Sequence, residues 1–382
     1  MKRLKNYLII STGYPPESSG GICTYTYYKS IFLKKHKVHC TVVYLSTETG
    51  KQTINEYLDL IKIKKIKTNY EYIDKIINFI KLNINIFKLI KKNNFDIVEE
   101  SDFVAGLLFT NLIKRRSDKN HIVKLHTTNK IVNIFERNNK IFSKIFTYLE
   151  TINLKKFLLF SSTTEFITRQ YSLFYNIDLK KFNYMPYTFE FEKQLIKSPK
   201  ENDYILYYGR LQKRKSSDLL IQMIQNNFID KDNIKFVIIG EDTQGFQNQI
   251  KKINNLTSKN IEFMGYISDR EKLYQYIINA NLILLPSEFE SFGLTQLESI
   301  YYNPRTFVLN NSGPFENFKY IGCENNILNK KEFANFKYSQ FMELSLKNSE
   351  KIKNNINNKF GYNSSEIIDN FNNLINKIGY HI

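Results

Sequence analysis

The chain reads as an α/β protein of two domains, each built on a parallel, doubly wound sheet, and three observations predict this. Strand-length apolar runs bounded by turn residues alternate with amphipathic helical stretches, the pattern of parallel sheets joined by crossover helices. At 382 residues the chain is too long for one ordinary core, given roughly 100–200 residues per domain. Glycines and charges collect just after the apolar runs, at the strand ends where such sheets hold ligands.

In the first half, apolar runs predict strands at 6–11, 39–45, 96–99, 121–125 and 157–161. Between the second and third, Ile73, Ile76, Ile77, Ile80, Ile84, Phe87 and Ile90 recur at helical spacing, so a long helix with one apolar face is expected to pack on the sheet. The second half predicts strands at 204–208, 235–239, 261–263, 281–285 and 306–309. Polar "IKSPKEND" at 196–203 separates the halves, and a last helix is expected at 364–377. The domains are therefore residues 1–195, residues 196–360, and a C-terminal helix within 361–382 that packs back on the first domain.

Bulk composition narrows the function. The apolar run after the basic start, 7–10, ends at Gly13-Tyr14-Pro15-Pro16; it is too short for a secretory signal and suits a first buried strand. No window approaches the roughly 18–20 apolar residues of a membrane span. Three cysteines, Cys23, Cys40 and Cys323, lack metal-ligand spacing and read as free thiols in a reducing compartment. The net charge of +18 invites a nucleic-acid partner. Lysine, asparagine and isoleucine are inflated together, however, as AT-rich coding produces, and no nucleic-acid module accompanies them, so none is expected.

Three stretches carry chemistry. "GYPPESSGG" brings Gly20 and Gly21 to the start of a helix near Ile22, where backbone N–H groups and the helix terminus favour an anion. It is neither a Walker A loop nor a GxGxxG fingerprint, and a tight turn would look the same. "YYGRLQKRKSSDLL" offers Arg210 and Lys215 after a strand: a guanidinium grips a diphosphate bidentately, while a lysine is a movable point charge. A solvated basic turn is the competing reading, since Lys213 and Arg214 stand there too. "EFESFGLTQLESI" places Glu290 at the mouth of the strand end and Glu298 about two turns further, on a helix starting near Phe292 and Gly293.

The order of these pieces, with "KKHKVHCTVVYL", "FDIVEESD", "KLHTT", "FVIIGED", "IEFMGYIS" and "LILLPSEFESFGLTQLE", resembles the retaining glycosyltransferases of family 4, among the glycosyl transferases group 1. The resemblance runs from about residue 6 to 310. It implies the GT-B architecture, two facing Rossmann-like domains with an interdomain cleft, the first on the acceptor side and the second binding the nucleotide sugar. It implies that Gly20 and Gly21 present N–H groups near the donor phosphate, and that Arg210 and Lys215 grip the diphosphate. Glu290 would face the donor sugar, with backbone N–H groups of Phe292, Gly293, Leu294 and Thr295 on sugar and phosphate. Glu298 would hold the ribose, Gly265 and Tyr266 would border the base, and His126 would lie beside the transferred sugar. Cations aimed at the departing diphosphate lower the barrier electrostatically, so no metal and no cofactor is expected. The one metal-like signature, Asp230-Lys231-Asp232, precedes its strand and reads as a surface turn.

The implied partners are a nucleotide-sugar donor and a glycan or lipid-linked glycan acceptor, in surface polysaccharide biosynthesis. The expected location is cytoplasmic, with weak contact to anionic membrane through the lysines between residues 60 and 94. Departures from the family pattern are "YMPYTFEFE" in place of Pro-Asn-Gly at the domain junction, "GED" after "FVII", and "NPRTFV" at a late strand with Gly313 as the single glycine of the following loop. Two other readings stay open: a GT-B relative such as a nucleotide-sugar epimerase or a phosphorylase, and a catalytically silent glycan- or nucleotide-binding scaffold.

Overall fold

The computed structural model describes the chain apart from residues 115–117, 137–140, 192–202, 230–234, 254–260, 336 and 345–347. Most of the 196–203 linker and the Asp230-Lys231-Asp232 turn thus lie outside the described residues. The chain forms two compact units, Met1–Glu190 with Phe360–Ile382, and Phe191–Lys359.

The first unit holds β1 (Lys2–Arg3), β2 (Asn6–Ile10), β3 (His39–Ser46), β4 (Gly50–Asn55), β5 (Leu58–Lys64), β6 (Ile97–Ser101), β7 (His121–Lys124), β8 (Leu159–Ser162) and β9 (Phe182–Tyr184). Eight of them form one sheet in the order β4-β5-β3-β2-β6-β7-β8-β9. All neighbours are parallel except β4 and β5, which form an antiparallel hairpin at the edge. Central strands are buried along most of their length because helices cover both faces, and β6 is buried throughout even though its residues 99 and 100 are glutamates. The hairpin escapes sequence reading because β4, "GKQTIN", is almost wholly exposed and polar.

The second unit holds β10 (Tyr204–Tyr208), β11 (Lys235–Ile239), β12 (Ile261–Gly265), β13 (Leu282–Leu285), β14 (Thr306–Leu309) and β15 (Ile327–Leu328). They make one parallel sheet in the order β12-β11-β10-β13-β14-β15, the strand order of a dinucleotide-binding fold. "YILYY" of β10 is buried at every residue, as a central strand must be.

The chain then returns to the first unit. Ser364 caps the helix Ser365–Asn376 by accepting the Ile367 N–H at 3.1 Å, and Ile367, Phe371, Leu374 and Ile375 enter the same core as Tyr7, Phe32 and Val42. Lys29, fully buried, sets its ammonium 3.7 Å over the Phe371 ring, a cation–π contact in place of water. A final strand, β16 (Tyr380–His381), pairs in parallel with β1.

One expectation fails. The helix Glu71–Lys92 buries only Leu82, Asn83 and Ile86, and Ile73, Ile76, Ile80 and Ile84 of the isoleucine stripe are 36–45% exposed. Asn83 turns inward, its side chain donating to the Ala105 carbonyl at 3.2 Å and accepting the Phe109 N–H at 3.1 Å. That contact and its neighbours Leu82 and Ile86 set the inner face, which rotates the isoleucines outward. Of the lysines between residues 60 and 94, Lys62 and Lys64 lie on β5.

Candidate active site

In an open α/β sheet the ligand crevice opens where successive connections leave to opposite sides of a central strand. In the second unit that point lies between β10 and β13, which are neighbours in the sheet although two strands intervene in sequence. Residues following these two strands include Gly209, Arg210, Lys215 and Glu290. Gly209 and Gly240 let the strand ends close up: φ is +144° and +142°, and a Cβ on Gly240 would lie 2.1 Å from the Gly209 carbonyl oxygen.

Lys215 and Glu290 form an ion pair through Nζ and Oε1, with both side chains only 14% exposed. Arg214 braces this pair. Its Nη1 lies 3.5 Å from Glu290 Oε2 and donates to the Phe289 carbonyl at 2.9 Å. Its own carbonyl accepts the N–H groups of Glu288 and Phe289. Burial, followed by the charges of Arg214 and Arg210, pushes the Lys215 ammonium toward losing its proton. Arg210 is exposed.

Glu298 sits on the helix Leu294–Tyr302, whose start is set by Gly293 at φ +85°. Tyr208 donates to its Oε2 at 2.6 Å, Tyr274 to its Oε1 at 3.1 Å, and Arg270 pairs with the same oxygen. Three donors therefore converge on the second glutamate, and burial, followed by the Glu298 charge, keeps the Tyr208 phenol protonated. Phe292 is core, 1% exposed, with its carbonyl taken by Asn317 at 2.6 Å. Leu294 and Thr295 are half-buried in the helix's first turn, where N–H groups have no intrahelical partner. Gly265 and Tyr266 line a cavity of about 570 Å³ together with Leu211, Glu241 and Phe263; Tyr266 is 61% exposed.

Gly20, Gly21 and His126 belong to the first unit. Gly20 caps the helix Gly21–Lys35 at φ +113°. A side chain at either glycine would meet nothing within 4 Å, so open space lies before this helix start. His126 follows β7 and is 3% exposed. Asp102, after β6, accepts the His126 backbone N–H at 2.8 Å and the Tyr171 hydroxyl; burial raises its carboxyl to about 6. The His126 ring bonds through Nδ1 to the Tyr187 hydroxyl, and burial, then Lys124, holds the imidazole neutral. Lys124 lies beneath, bonded to Ser161 and the Met185 carbonyl, and burial lowers its ammonium to about 7.

The second unit thus collects Arg210, Lys215, Glu290, Glu298, residues 292–295, Gly265 and Tyr266; the first holds the other three. Sequence reading missed the residues that hold the named ones. Arg214 stood in the quoted motif, where a run of four basic residues with one intervening leucine-glutamine pair looked like a solvated turn. Tyr208, Arg270 and Tyr274 lie 90, 28 and 24 residues from Glu298, and Tyr187 lies 61 from His126, distances at which no local pattern signals a contact.

Residues 188–321 match the family described as glycosyl transferases group 1. A Klebsiella pneumoniae protein described as an uncharacterized 41.2 kDa protein in the cps region is 24% identical over 229 residues, 57% of this chain and 61% of that protein; the match thus spans under two thirds of the relative's length. Among solved structures, sucrose-phosphate synthase from Thermosynechococcus elongatus aligns over 94% of this chain and 95% of its own, with a TM-score of 0.70 at 14% identity. WaaG, a glycosyltransferase involved in lipopolysaccharide biosynthesis, aligns over 98% and 100%, with a TM-score of 0.65 at 12% identity. TarM of S. aureus, solved with fondaparinux, α-GlcNAc-glycerol and UDP, aligns over 98% and 100%, with a TM-score of 0.66 at 13% identity. The expected resemblance to group 1 and the GT-B fold both hold.

Proposed function

From a group 1 glycosyltransferase region carried on a GT-B fold, we propose a retaining, metal-independent glycosyltransferase of the family 4 type. It moves a sugar from a nucleotide diphosphate donor to a hydroxyl of a glycan or lipid-linked glycan, in surface polysaccharide biosynthesis. The observation that carries this reading is the cluster of Lys215, Arg214 and Glu290, a largely buried charge set at the crevice of the second sheet. UDP bound to TarM and the lipopolysaccharide role of WaaG support the donor class and the setting.

In this reading Arg210 and Lys215 neutralise the diphosphate as the sugar–phosphate bond lengthens, when charge grows on the leaving group and the sugar becomes oxocarbenium-like. The N–H groups at 292–295, just before and within the first turn of the helix Leu294–Tyr302, add partial positive charge to the same phosphate. Glu290, released from Lys215 as phosphate takes its place, accepts hydrogen bonds from the sugar hydroxyls. Glu298 meets the ribose, whose hydroxyls share the carboxylate with Tyr208 and replace Arg270. Gly265 and Tyr266 border the base, Gly20 and Gly21 approach the phosphate, and His126 attends the sugar.

Thermal-shift screening with UDP, GDP and ADP sugars tests the assignment, because a ligand that binds only the folded state raises its melting point. One nucleotide class should shift the transition, and Arg210→Ala should abolish the shift; indifference to all three overturns the proposal.

We also propose a cytoplasmic location with peripheral membrane contact. No described helix is long and apolar enough to cross a membrane. Ile73, Ile76, Ile80 and Ile84 stand exposed on a helix that also bears Lys75, Lys81, Lys88, Lys91 and Lys92, a composition that suits an anionic lipid surface. Sedimentation with anionic vesicles should be salt-sensitive and weakened by Ile76→Ser with Ile80→Ser; equal recovery with neutral vesicles would count against it.

A further inference from the structure

We propose that Tyr187 is a positioning residue for His126, fixing the imidazole as the tautomer with hydrogen on Nε2 so that it donates to an oxygen of the bound sugar.

The His126 ring is held on several sides. Its backbone N–H is anchored on Asp102 at 2.8 Å. The Tyr25 ring meets it edge-on at 5.2 Å, and Tyr25 is itself pinned by a 2.8 Å hydrogen bond to the buried Glu99. The Tyr187 ring lies 5.4 Å away and packs on Tyr25 at 5.0 Å. The Lys124 ammonium sits 5.1 and 5.3 Å from the ring centroids of Tyr25 and Tyr187.

Within this frame the two ring nitrogens differ. Nδ1 meets the Tyr187 hydroxyl. Nε2 is buried with no hydrogen-bond partner among the described residues. A neutral imidazole has one N–H and one lone pair, and the group on one nitrogen decides what the other can do. A phenol O–H donates to an imidazole lone pair more readily than the reverse, so Nδ1 accepts and the hydrogen resides on Nε2. A buried donor without a partner is rare, and a sugar hydroxyl oxygen is an acceptor of suitable chemistry. Tyr187 falls within "YMPYTFEFE", the stretch that departs from the Pro-Asn-Gly of the family pattern.

The inference rests on the glycosyl-transfer reading for its ligand, and the test separates the two. Protein labelled with ¹⁵N-histidine is examined by long-range ¹H–¹⁵N correlation, the His126 signals being assigned by their loss in His126→Gln. The expected pattern is Nε2–H, constant between about pH 5.5 and 8 because burial suppresses protonation. In Tyr187→Phe the pattern should become a mixture, and kcat should fall roughly tenfold, the worth of one neutral hydrogen bond, with donor KM within about twofold. In a His126→Gln background Tyr187→Phe should cost nothing further, a coupling that a merely structural role would not produce. An Nδ1–H pattern in the wild type, or an unchanged pattern and kcat in Tyr187→Phe, overturns the proposal. If no nucleotide sugar is turned over by the wild type, the functional reading falls while the spectra still decide the tautomer.

Discussion

Replacing Gly240 by alanine should injure the second unit at the root of its ligand crevice, and Gly209→Ala is the matched control. Both glycines hold φ near +140°, so either alanine adopts a backbone conformation costing roughly 1–3 kcal/mol. At Gly209 the new methyl group meets nothing within 4 Å, and the backbone term is the whole cost. At Gly240 it would lie 2.1 Å from the Gly209 carbonyl oxygen, 2.6 Å from its carbon and 3.3 Å from the Arg210 nitrogen. Both neighbours are backbone, so no rotamer can yield, and the strand ends must part by nearly 1 Å to restore a tolerable contact. Overpacking of this kind adds roughly 1–3 kcal/mol. Two hydrogen bonds oppose the parting, Gly209 N–H to the Ile239 carbonyl and Gly240 N–H to the Gly265 carbonyl, both 2.8 Å. For a unit of this size 1 kcal/mol moves the melting point by roughly 2–4 °C. Gly240→Ala should therefore melt about 2–12 °C below Gly209→Ala, and it should lose more nucleotide affinity, because Arg210 moves with the displaced backbone. Differential scanning calorimetry with and without nucleotide measures both. Equal melting points for the two variants would refute the steric argument.

Three further outcomes are expected. Glu290→Gln should lower kcat more than donor affinity, whereas Glu298→Gln should chiefly weaken donor binding and, by removing the charge from three hydrogen bonds, cost roughly 1–3 kcal/mol of stability; titration calorimetry beside initial rates distinguishes them, and the reverse pattern would exchange the two roles. Phe371→Ala should destabilise the first unit by roughly 3–5 kcal/mol, since the ring is fully buried and lies beneath the Lys29 ammonium; a loss under about 1 kcal/mol in urea unfolding would show that the C-terminal helix is not part of that core. Lys124 has its pKa lowered from 10.5 to about 7 by burial, so between those values the unfolded chain binds a proton that the folded one has released. Its contribution to stability accordingly rises with pH across that window, by at most about 1.4 kcal/mol per unit, and urea titrations at about pH 7.5 and 9 should show a flatter slope for Lys124→Met than for the wild type.

The parallel strands were legible because burial on both faces forces an unbroken apolar run, as in "YILYY" and "NLILL". The β4–β5 hairpin was not, because one of its strands is polar and exposed and the other carries lysines at alternating positions. The isoleucine stripe misled for a related reason. Periodicity locates an apolar face but does not say which way it turns, and here Leu82, Asn83 and Ile86 form the inner face. Among the candidate site residues, those carried by a local motif, such as Arg210, Lys215 and the two glutamates, are readable from the sequence as candidates. Their supports are not, since Tyr187, Tyr208 and Arg270 reach their partners only through the fold.

The return of the chain to its first unit carries a consequence for how the protein is made. The core around Tyr7 and Phe32 includes Ile367, Phe371, Leu374 and Ile375, residues synthesised only after the whole second unit. The second unit is continuous in sequence and emerges from the ribosome with everything its core requires. The first must wait, its apolar surface uncovered for the whole time that the second takes to be translated, and domains ordinarily fold from the N-terminus onward at the pace of synthesis. Here that order is inverted, so the half begun first is finished last, and chaperone dependence during translation should concentrate on it.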